Sequence, residues 1–400
     1  METCSNAEWK ERGDKVFVGT YSRYPAAMIS GSGCRLVDAD GKEYLDFLSG
    51  IAVCILGHCH PAVTAAIAAQ ASRLVHVSNL YYTEPQVRLA EMLVANSFAD
   101  KVFFCNSGAE ANEAAIKLAR IAGGAGRYQV ISLSGSFHGR TLATVAATGQ
   151  TKFHKGFEPL PEGFVHAPFG DLAGLAGVIS EKTCAVLCEP MQGEGGVRPL
   201  DGAYLRGIRE LCDRHRLLLI FDEIQTGMGR TGTLFAYQQL GVTPDIITLA
   251  KGLGNGLPIG AMMARAETAA AFTPGTHAST FGGNPVASAA AVATLETLLA
   301  NGFLPRVEET GLYLRGRLSE LAQRFPQHIV AVRGMGLLLG AVLSESTAAQ
   351  GTAIVNRMFE RGYLLNFAGN VALRFAPPLV VERADIDTMI AALGEVLAEL

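Results

Sequence analysis

From about residue 60 onward the chain alternates two hydrophobic patterns. Short apolar runs at 102–105, 129–133, 185–188, 217–221 and 246–249 read as strands buried on both faces. Between them lie stretches with apolar residues at helical spacing, such as 112–121, where Ala115, Leu118 and Ala119 share one face. Thr83-Glu84-Pro85-Gln86 predicts a helix start, because Thr and Gln have capping-box spacing and Pro suits the first turn. Strands that alternate with helices predict an α/β fold with a mainly parallel central sheet, whose functional groups gather at the carboxyl ends of strands.

The two ends of the chain read differently. Asp38-Ala39-Asp40-Gly41-Lys42 predicts a turn between short strands at 34–37 and 43–47. Residues 306–324 and 353–361 have helical spacing, and 336–342 reads as a strand. The expectation is a smaller α+β domain drawn from both termini, 1–58 and 297–400, around a large domain at 59–296.

Composition narrows the class. Apolar residues make up 49% of the 400 residues, enough for a large core, and the net charge of −4 is dispersed, which argues against a nucleic-acid partner. The eight cysteines form no Cys-x-x-Cys pair and several lie in apolar runs, so reduced thiols and a cytoplasmic location are expected. The N-terminal segment METCSNAEWKERGDK lacks the apolar run of a signal peptide and is too acidic for a transit peptide. The small apolar segment 285–300 is broken by Thr and Glu296, which predicts a closely packed helix and no membrane span.

Four predicted strand ends carry chemistry. CNSGAEANEAA (105–115) has the strand, Ser-Gly-Ala, helix order of an anion site; it is also compatible with an ordinary helix capped by Ser107 and Glu110. SGSFHGRT (134–141) sets Phe137 or His138 to stack on a flat ring and Arg140 to clamp a carboxylate, or forms a plain surface loop. LLLIFDEIQTGMGRTG (217–232) runs an apolar strand into Asp222 and Glu223, and a buried carboxylate needs a partner, either a cationic cofactor nitrogen or a structural Arg or Lys. DIITLAKGLGNGLPIG (245–260) ends an apolar strand on Lys251, a nucleophile if its site lowers its pKa. Asp222 and Lys251 are one strand–helix–strand step apart, so neighbouring strand ends can aim both into one pocket. Two rival motifs fail. Gly252, Gly254 and Gly256 are followed by Leu257-Pro258 and a strand-like run, without the helix of a dinucleotide site. His58-Cys59-His60 has no second cluster to complete a metal site and reads as a turn before Pro61.

Taken together, these residues resemble the class III, pyridoxal-5′-phosphate-dependent aminotransferases of fold type I, almost end to end. FDEIQTGMGRTG followed by PDIITLAKGLGNGLPIGA carries the likeness. SNLYYTEPQVRLAEML, FHGRT, EPMQGEGG, STFGGNP and RFAPPL are similar to the acetylornithine aminotransferase subgroup. The resemblance implies that Lys251 is the Schiff-base lysine and proton carrier, that Asp222 pairs with the protonated pyridine nitrogen, and that Gln225 bonds near the phenolic oxygen. It implies that Phe137 stacks on the ring and that Ser107, Gly108 and Ala109 hold the phosphate. Thr280 would reach the phosphate of the other subunit in a homodimer, and Ser279 would bind substrate. Arg374 would bind the α-carboxylate of 2-oxoglutarate or glutamate, Arg140 the second carboxylate, and Glu194 would mask an arginine while the basic donor is bound. Tyr21 and Asn79 would line the substrate channel. The implied reaction moves the terminal amino group of N-acetyl-L-ornithine to 2-oxoglutarate, as in arginine biosynthesis. Succinylornithine, ornithine, N-succinyl-diaminopimelate and 4-aminobutyrate stand as alternative donors, and an aminomutase or a cofactor-binding protein without catalysis as alternative classes.

Overall fold

The computed structural model describes residues 4–400; Met1 to Thr3, which open the expected N-terminal domain and the segment read for targeting, lie outside the described residues. A seven-stranded sheet forms the centre, in the order Lys101–Cys105, Gly260–Ala264, Ile246–Leu249, Leu218–Asp222, Thr183–Cys188, Gln129–Leu133, Phe164–Ala167. Only Gly260–Ala264 runs antiparallel to its neighbours. The connection from Leu249 to Gly260 explains this, since a parallel crossover needs about a dozen residues or more, commonly with a helix. The other pairings are parallel. Strands 183–188, 246–249 and 260–264 are buried at every position, hence their unbroken apolar runs. Phe164–Ala167 was not foreseen: it is a half-buried edge strand with a histidine in it, so it lacks that signature.

Helix Gly108–Gly123 packs on the sheet through Ala111, Ala114, Ala115, Leu118 and Ala119, all fully buried. Helix Pro285–Leu299 is buried along most of its length, and the chain passes the expected boundary at 296/297 inside it. Helix Glu84–Ala95 starts directly after Thr83, as the Thr-Glu-Pro-Gln pattern predicts, but the capping box does not form. Gln86 Nε2 donates instead to Asn79 Oδ1 at 2.7 Å, and Thr83 Oγ1 is left without a partner. Among the described residues no single helix is long and apolar enough to cross a membrane.

Strands Met28–Ser32, Arg35–Asp38 and Glu43–Asp46 form a second sheet, which the C-terminal strand Tyr363–Leu364 joins in parallel, Tyr363 opposite Leu45. A third, antiparallel sheet contains Ile329–Met335, Leu338–Leu343, Ala372–Phe375 and Asn366–Ala368. Helices Phe303–Arg324 and Gly351–Glu360 occupy the two stretches of helical spacing.

One segment departs from ordinary backbone. Ser49, Gly50, Ile51 and Ala52 have φ of 45°, 63°, 67° and 60°, a single left-handed turn. For side chains with a Cβ this conformation costs about 1–2 kcal/mol per residue, so it needs anchors. Asp46 Oδ1 accepts from the Leu48 and Ser49 N–H groups, both at 2.8 Å, and Ser49 Oγ donates to the Ala376 carbonyl. The turn delivers Val53 to the wall of the cavity described next.

Candidate active site

Chain leaving Cys105, Leu133, Cys188, Asp222 and Leu249 emerges at the carboxyl edge of the large sheet. There it encloses a cavity of about 300 Å³ lined by Ser107, Gly108, Ala109, Phe137, His138, Glu189, Asp222, Gln225 and Lys251, with Val53, Ile224, Leu257 and Pro258 as apolar walls. The sheet topology thus joins the four chemistry-bearing segments that lie far apart in sequence.

At one end of the cavity helix Gly108–Gly123 begins. Ser107 caps it, its Oγ accepting from the Glu110 N–H at 3.2 Å. Glu110 does not return the bond to the cap backbone. Its Oε2 accepts from the Asn106 N–H at 2.7 Å, a shifted version of the expected capping box. Among the described residues the Gly108 and Ala109 N–H groups have no acceptor, which leaves two donors and the positive end of the helix dipole facing the cavity. A Cβ on Gly108 would lie 2.7 Å from Ile224 Cδ1 and 3.1 Å from its Cγ1 and Cγ2, so a side chain there would push Ile224 aside.

Lys251 follows the strand Ile246–Leu249, with φ of 44°, and the glycines behind it let the chain double back. A Cβ on Gly254 would sit 2.3 Å from the Leu257 carbonyl oxygen. Lys251 keeps some exposed surface because it opens into the cavity, while protein otherwise encloses it. Burial pushes its amine down to about 8; Glu194, Asp222 and Glu189 act to raise it and Arg374 to lower it.

Asp222 and Glu223 have different jobs, because successive strand residues face opposite ways. Asp222 lines the cavity. Glu223 turns away and accepts from the Ala236 N–H at 2.6 Å, the Tyr237 N–H at 2.9 Å and Thr226 Oγ1 at 3.3 Å, a structural anchor whose burial pushes its carboxyl up to about 7. Asp222 Oδ2 accepts from His138 Nδ1 and from Asn112 Nδ2, both at 2.8 Å. No Lys or Arg bonds it among the described residues, so the structural-cation reading of Asp222 fails. Glu189 is a second buried carboxyl on the wall, accepting from the Phe137 N–H at 3.1 Å and the Gly193 N–H at 3.3 Å; burial and the nearby Asp222 push it well above the usual carboxylate range.

Beside the cavity, Arg374 is 2% exposed and donates from Nη1 to Glu194 Oε1 at 2.6 Å and to Gln225 Oε1 at 3.3 Å. Gln225 Nε2 also reaches Glu194 Oε1 at 3.2 Å. Burial acts to raise the Glu194 carboxyl, but Arg374, Lys251 and these hydrogen bonds outweigh it and hold it below its ordinary value. Glu194 and the cavity-lining amide of Gln225 thus take up the Arg374 guanidinium at Nη1.

The remaining expected residues do not reach the cavity wall within one chain. Arg140 is exposed and stacks over Phe153 at 4.3 Å and Phe137 at 5.6 Å, which puts it at the outer side of the ring that lines the cavity. Thr280 is exposed in a separate surface depression with Asn79 and Ser279. Asn79 Nδ2 holds the Ser279 and Gly282 carbonyls at 2.9 and 3.0 Å, a loop-fixing role. Tyr21 is 73% exposed in a cleft with Trp9, Phe17 and Tyr24. His58 donates or accepts at Nε2 with Asp46 Oδ2 at 2.7 Å, and no metal-binding cluster occurs among the described residues. All eight cysteines are free. Asn112, Glu189 and Val53 went unmarked in the sequence. Asn112 looked like one more polar residue in a helix, and the Glu189-Pro190 strand end was the one signal open to reading.

Known proteins resemble this chain in sequence and in fold. The family description "Aminotransferase class-III" matches residues 19–397. An acetylornithine aminotransferase of Gloeobacter violaceus is 52% identical over 385 residues, 95% of each chain. The N-acetylornithine aminotransferase structure from Stenotrophomonas maltophilia superposes with a TM-score of 0.83 at 40% identity, covering 95% of this chain and 97% of that one. The ornithine aminotransferase of Toxoplasma gondii gives a TM-score of 0.94 at 32% identity over 99% and 96% of the two chains. A further structure of that enzyme is described with partial occupancy of pyridoxal phosphate at its active site. On the match to nearly its full length, this chain belongs to the class III aminotransferases, the pyridoxal-phosphate enzymes of fold type I.

Proposed function

We propose that the protein transfers the terminal amino group of N-acetyl-L-ornithine to 2-oxoglutarate, giving N-acetyl-glutamate semialdehyde and glutamate. The single observation that carries a two-substrate transfer is the Arg374–Glu194 pair bridged by Gln225 next to Lys251. Such a pair can present a neutralised wall to one substrate and a free guanidinium to a dicarboxylate. Identity of 52%, 50% and 51% to three acetylornithine aminotransferases over nearly the whole chain favours the acetylated donor.

The residues fit pyridoxal phosphate on their own chemistry. A dianionic phosphate suits the two unpaired N–H groups at the helix start, and a cationic ring nitrogen suits the Asp222 carboxylate, which among the described residues has no Lys or Arg partner and meets only His138 as a basic side chain. When bound, the cofactor supplies the carbonyl that takes up the amino group and a ring that accepts electrons. Ser107, Gly108 and Ala109 hold the phosphate and Phe137 covers the ring. Asp222 keeps the ring nitrogen protonated and Gln225 bonds near the phenolic oxygen. Lys251 would anchor the cofactor through its amine and, when that amine is free, would serve as the base that takes the proton from the substrate carbon. A lowered amine pKa suits it to do both near neutral pH. Arg374 takes the α-carboxylate of 2-oxoglutarate after Glu194 moves aside, and Arg140 takes the other carboxylate. Tyr21 and Asn79 belong to the substrate channel. Thr280 serves the site of a second copy in a homodimer, a reading supported by its exposure in the single chain, and Ser279 belongs to the substrate-binding residues. The division into 1–58 with 297–400 and 59–296, and a cytoplasmic location, complete the reading.

The test adds single donors to the cofactor-loaded protein without oxo acid and follows the loss of the bound cofactor's visible absorbance. Fast conversion by N-acetylornithine and slow conversion by ornithine, N-succinylornithine and 4-aminobutyrate is expected. No change with N-acetylornithine while another donor converts the protein would overturn the substrate assignment, and turnover by Lys251→Ala would overturn the mechanism.

A further inference from the structure

The loop between strand Gln129–Leu133 and helix Leu142–Ala147 carries Phe137 in the cavity wall and Arg140 at its outer side. Among the described residues Arg140 has no carboxylate within ion-pair distance and no hydrogen-bond partner. Two aromatic rings hold it instead. Its Cζ lies 4.3 Å from the centre of Phe153 and 5.6 Å from that of Phe137, and the rings meet edge to face, 5.5 Å apart at 75°. Lys152 Nζ also lies over Phe153, at 4.9 Å, but Arg140 alone reaches both rings. Backbone ties fix this arrangement. Phe153 closes the single turn Thr151–Phe153, and Gln150 just before it donates from Nε2 to the carbonyls of Gly135 at 3.2 Å and Ser136 at 3.0 Å. The Gly135 N–H donates to the Gly149 carbonyl at 2.7 Å, and the Gly149 N–H to Ser136 Oγ at 3.0 Å. The turn with Phe153 is thus laced to the loop with Phe137 and Arg140. An acid partner would occupy N–H donors of the guanidinium, as Glu194 does at Arg374 Nη1. A ring face attracts the cation through its quadrupole and leaves the in-plane donors free for a forked carboxylate.

We propose that Phe153 is a positioning residue for the amino acceptor: its ring seats the Arg140 guanidinium beside Phe137 with the N–H fork open to the carboxylate of 2-oxoglutarate remote from the keto group. The proposal rests on the reading of Arg140 given above. Phe153 acts on the acceptor only through Arg140, so its loss weakens the hold on a dicarboxylate and spares an acceptor without the second carboxylate.

The test loads cofactor-free wild type, Phe153→Leu, Phe153→Tyr, Phe153→Met and Arg140→Met with pyridoxamine phosphate, the aminated cofactor. Each is mixed with 2-oxoglutarate or with 2-oxopentanoate, the same chain with a methyl in place of the second carboxylate. Single-turnover change of the bound cofactor's absorbance gives a second-order rate constant even for a slow acceptor, and the ratio of the two constants measures the dicarboxylate preference. Melting temperature reports folding. Loss of a cation–π contact implies that the ratio falls by about threefold to thirtyfold in Phe153→Leu, with the 2-oxopentanoate constant within about twofold of wild type. Phe153→Tyr keeps the ring face and holds the ratio within about twofold. A folded Phe153→Leu protein whose ratio falls by less than about threefold overturns the proposal, and equal slowing with both acceptors is such a result, the mark of loosened packing. A Phe153→Tyr ratio that falls as far as that of Phe153→Leu overturns it too, since the ring face is then not the cause. If Phe153→Leu does not fold, Phe153→Met, which fills the space without a ring, decides on the same ratio. Arg140→Met separates the proposal from the reading beneath it. A ratio that falls in Arg140→Met but not in Phe153→Leu sinks the proposal alone. An unchanged ratio in Arg140→Met sinks the reading of Arg140 and the proposal together, and a wild type that aminates neither oxo acid sinks the transaminase reading with both.

Discussion

The amine of Lys251 offers the sharpest quantitative prediction. Burial lowers it from 10.5 to about 8, with Arg374 adding to the fall and Glu194 and Asp222 opposing it. At pH 7.5 an amine titrating near 8 is about one quarter unprotonated, whereas one at 10.5 is unprotonated in about one part in a thousand. Only the free amine attacks an aldehyde, so cofactor-free protein should load pyridoxal phosphate faster as pH rises, with the rate levelling just above 8. The neighbours give signed controls. Arg374→Met removes a cation and should move the midpoint up. Glu194→Gln removes an anion and leaves Arg374 unpaired, so it should move the midpoint down. The assay mixes cofactor-free protein with pyridoxal phosphate between pH 6.5 and 10 and follows the growth of the bound cofactor's visible band, with a small primary amine as reference for the free cofactor. A loading rate that climbs without a break to pH 10, as for an ordinary lysine, would refute the argument from burial. Midpoints that move the wrong way in the two variants would refute the assignment of its neighbours.

Three further outcomes are expected. Gly108→Val should weaken cofactor binding at least tenfold in an equilibrium titration, because the new side chain meets Ile224 at 2.7 Å, and overpacking should lower stability by about 1–3 kcal/mol; unchanged binding would show that the helix start has room to move. Glu223→Gln should lower the unfolding free energy by about 1–3 kcal/mol, since one amide oxygen cannot serve all three donors now held, while the visible spectrum of bound cofactor stays the same; a changed spectrum would mean that Glu223 reaches the cavity. The hydrogen bond to Asp46 raises His58 to about 10, so its stabilisation is fully present below about 6.5 and is lost as pH rises through 10. Denaturant unfolding of His58→Gln should therefore lose part of the wild type's decline in stability between those limits, and identical pH profiles would refute the pairing.

The sequence alone determined the local facts. Unbroken apolar runs at 185–188 and 246–249 specify strands buried on both faces, since nothing else hides such runs, and the alternation with helical spacing specifies parallel order. Lys251 and Asp222 were legible because a charged group at the end of a buried strand demands a partner. The Gly-rich stretch after Lys251 was legible because a tight return of the chain excludes side chains. Tertiary structure alone decided which groups meet. His138 could have stacked on a ring, but instead its ring nitrogen faces Asp222, because the sheet order brings those strand ends together. Asn112 braces Asp222 from a helix 110 residues earlier in the chain, and Arg374 meets Glu194 across 180 residues. The Gln86 side chain abandons its capping box for Asn79, which no local pattern announces. The left-handed turn at 49–52 is held by Asp46 and by the distant Ala376 carbonyl, so its strain is stabilised by contacts that local sequence does not contain. Pattern and propensity act over a few residues, whereas the site is built from pairings across the fold, and those exist only once the chain has packed.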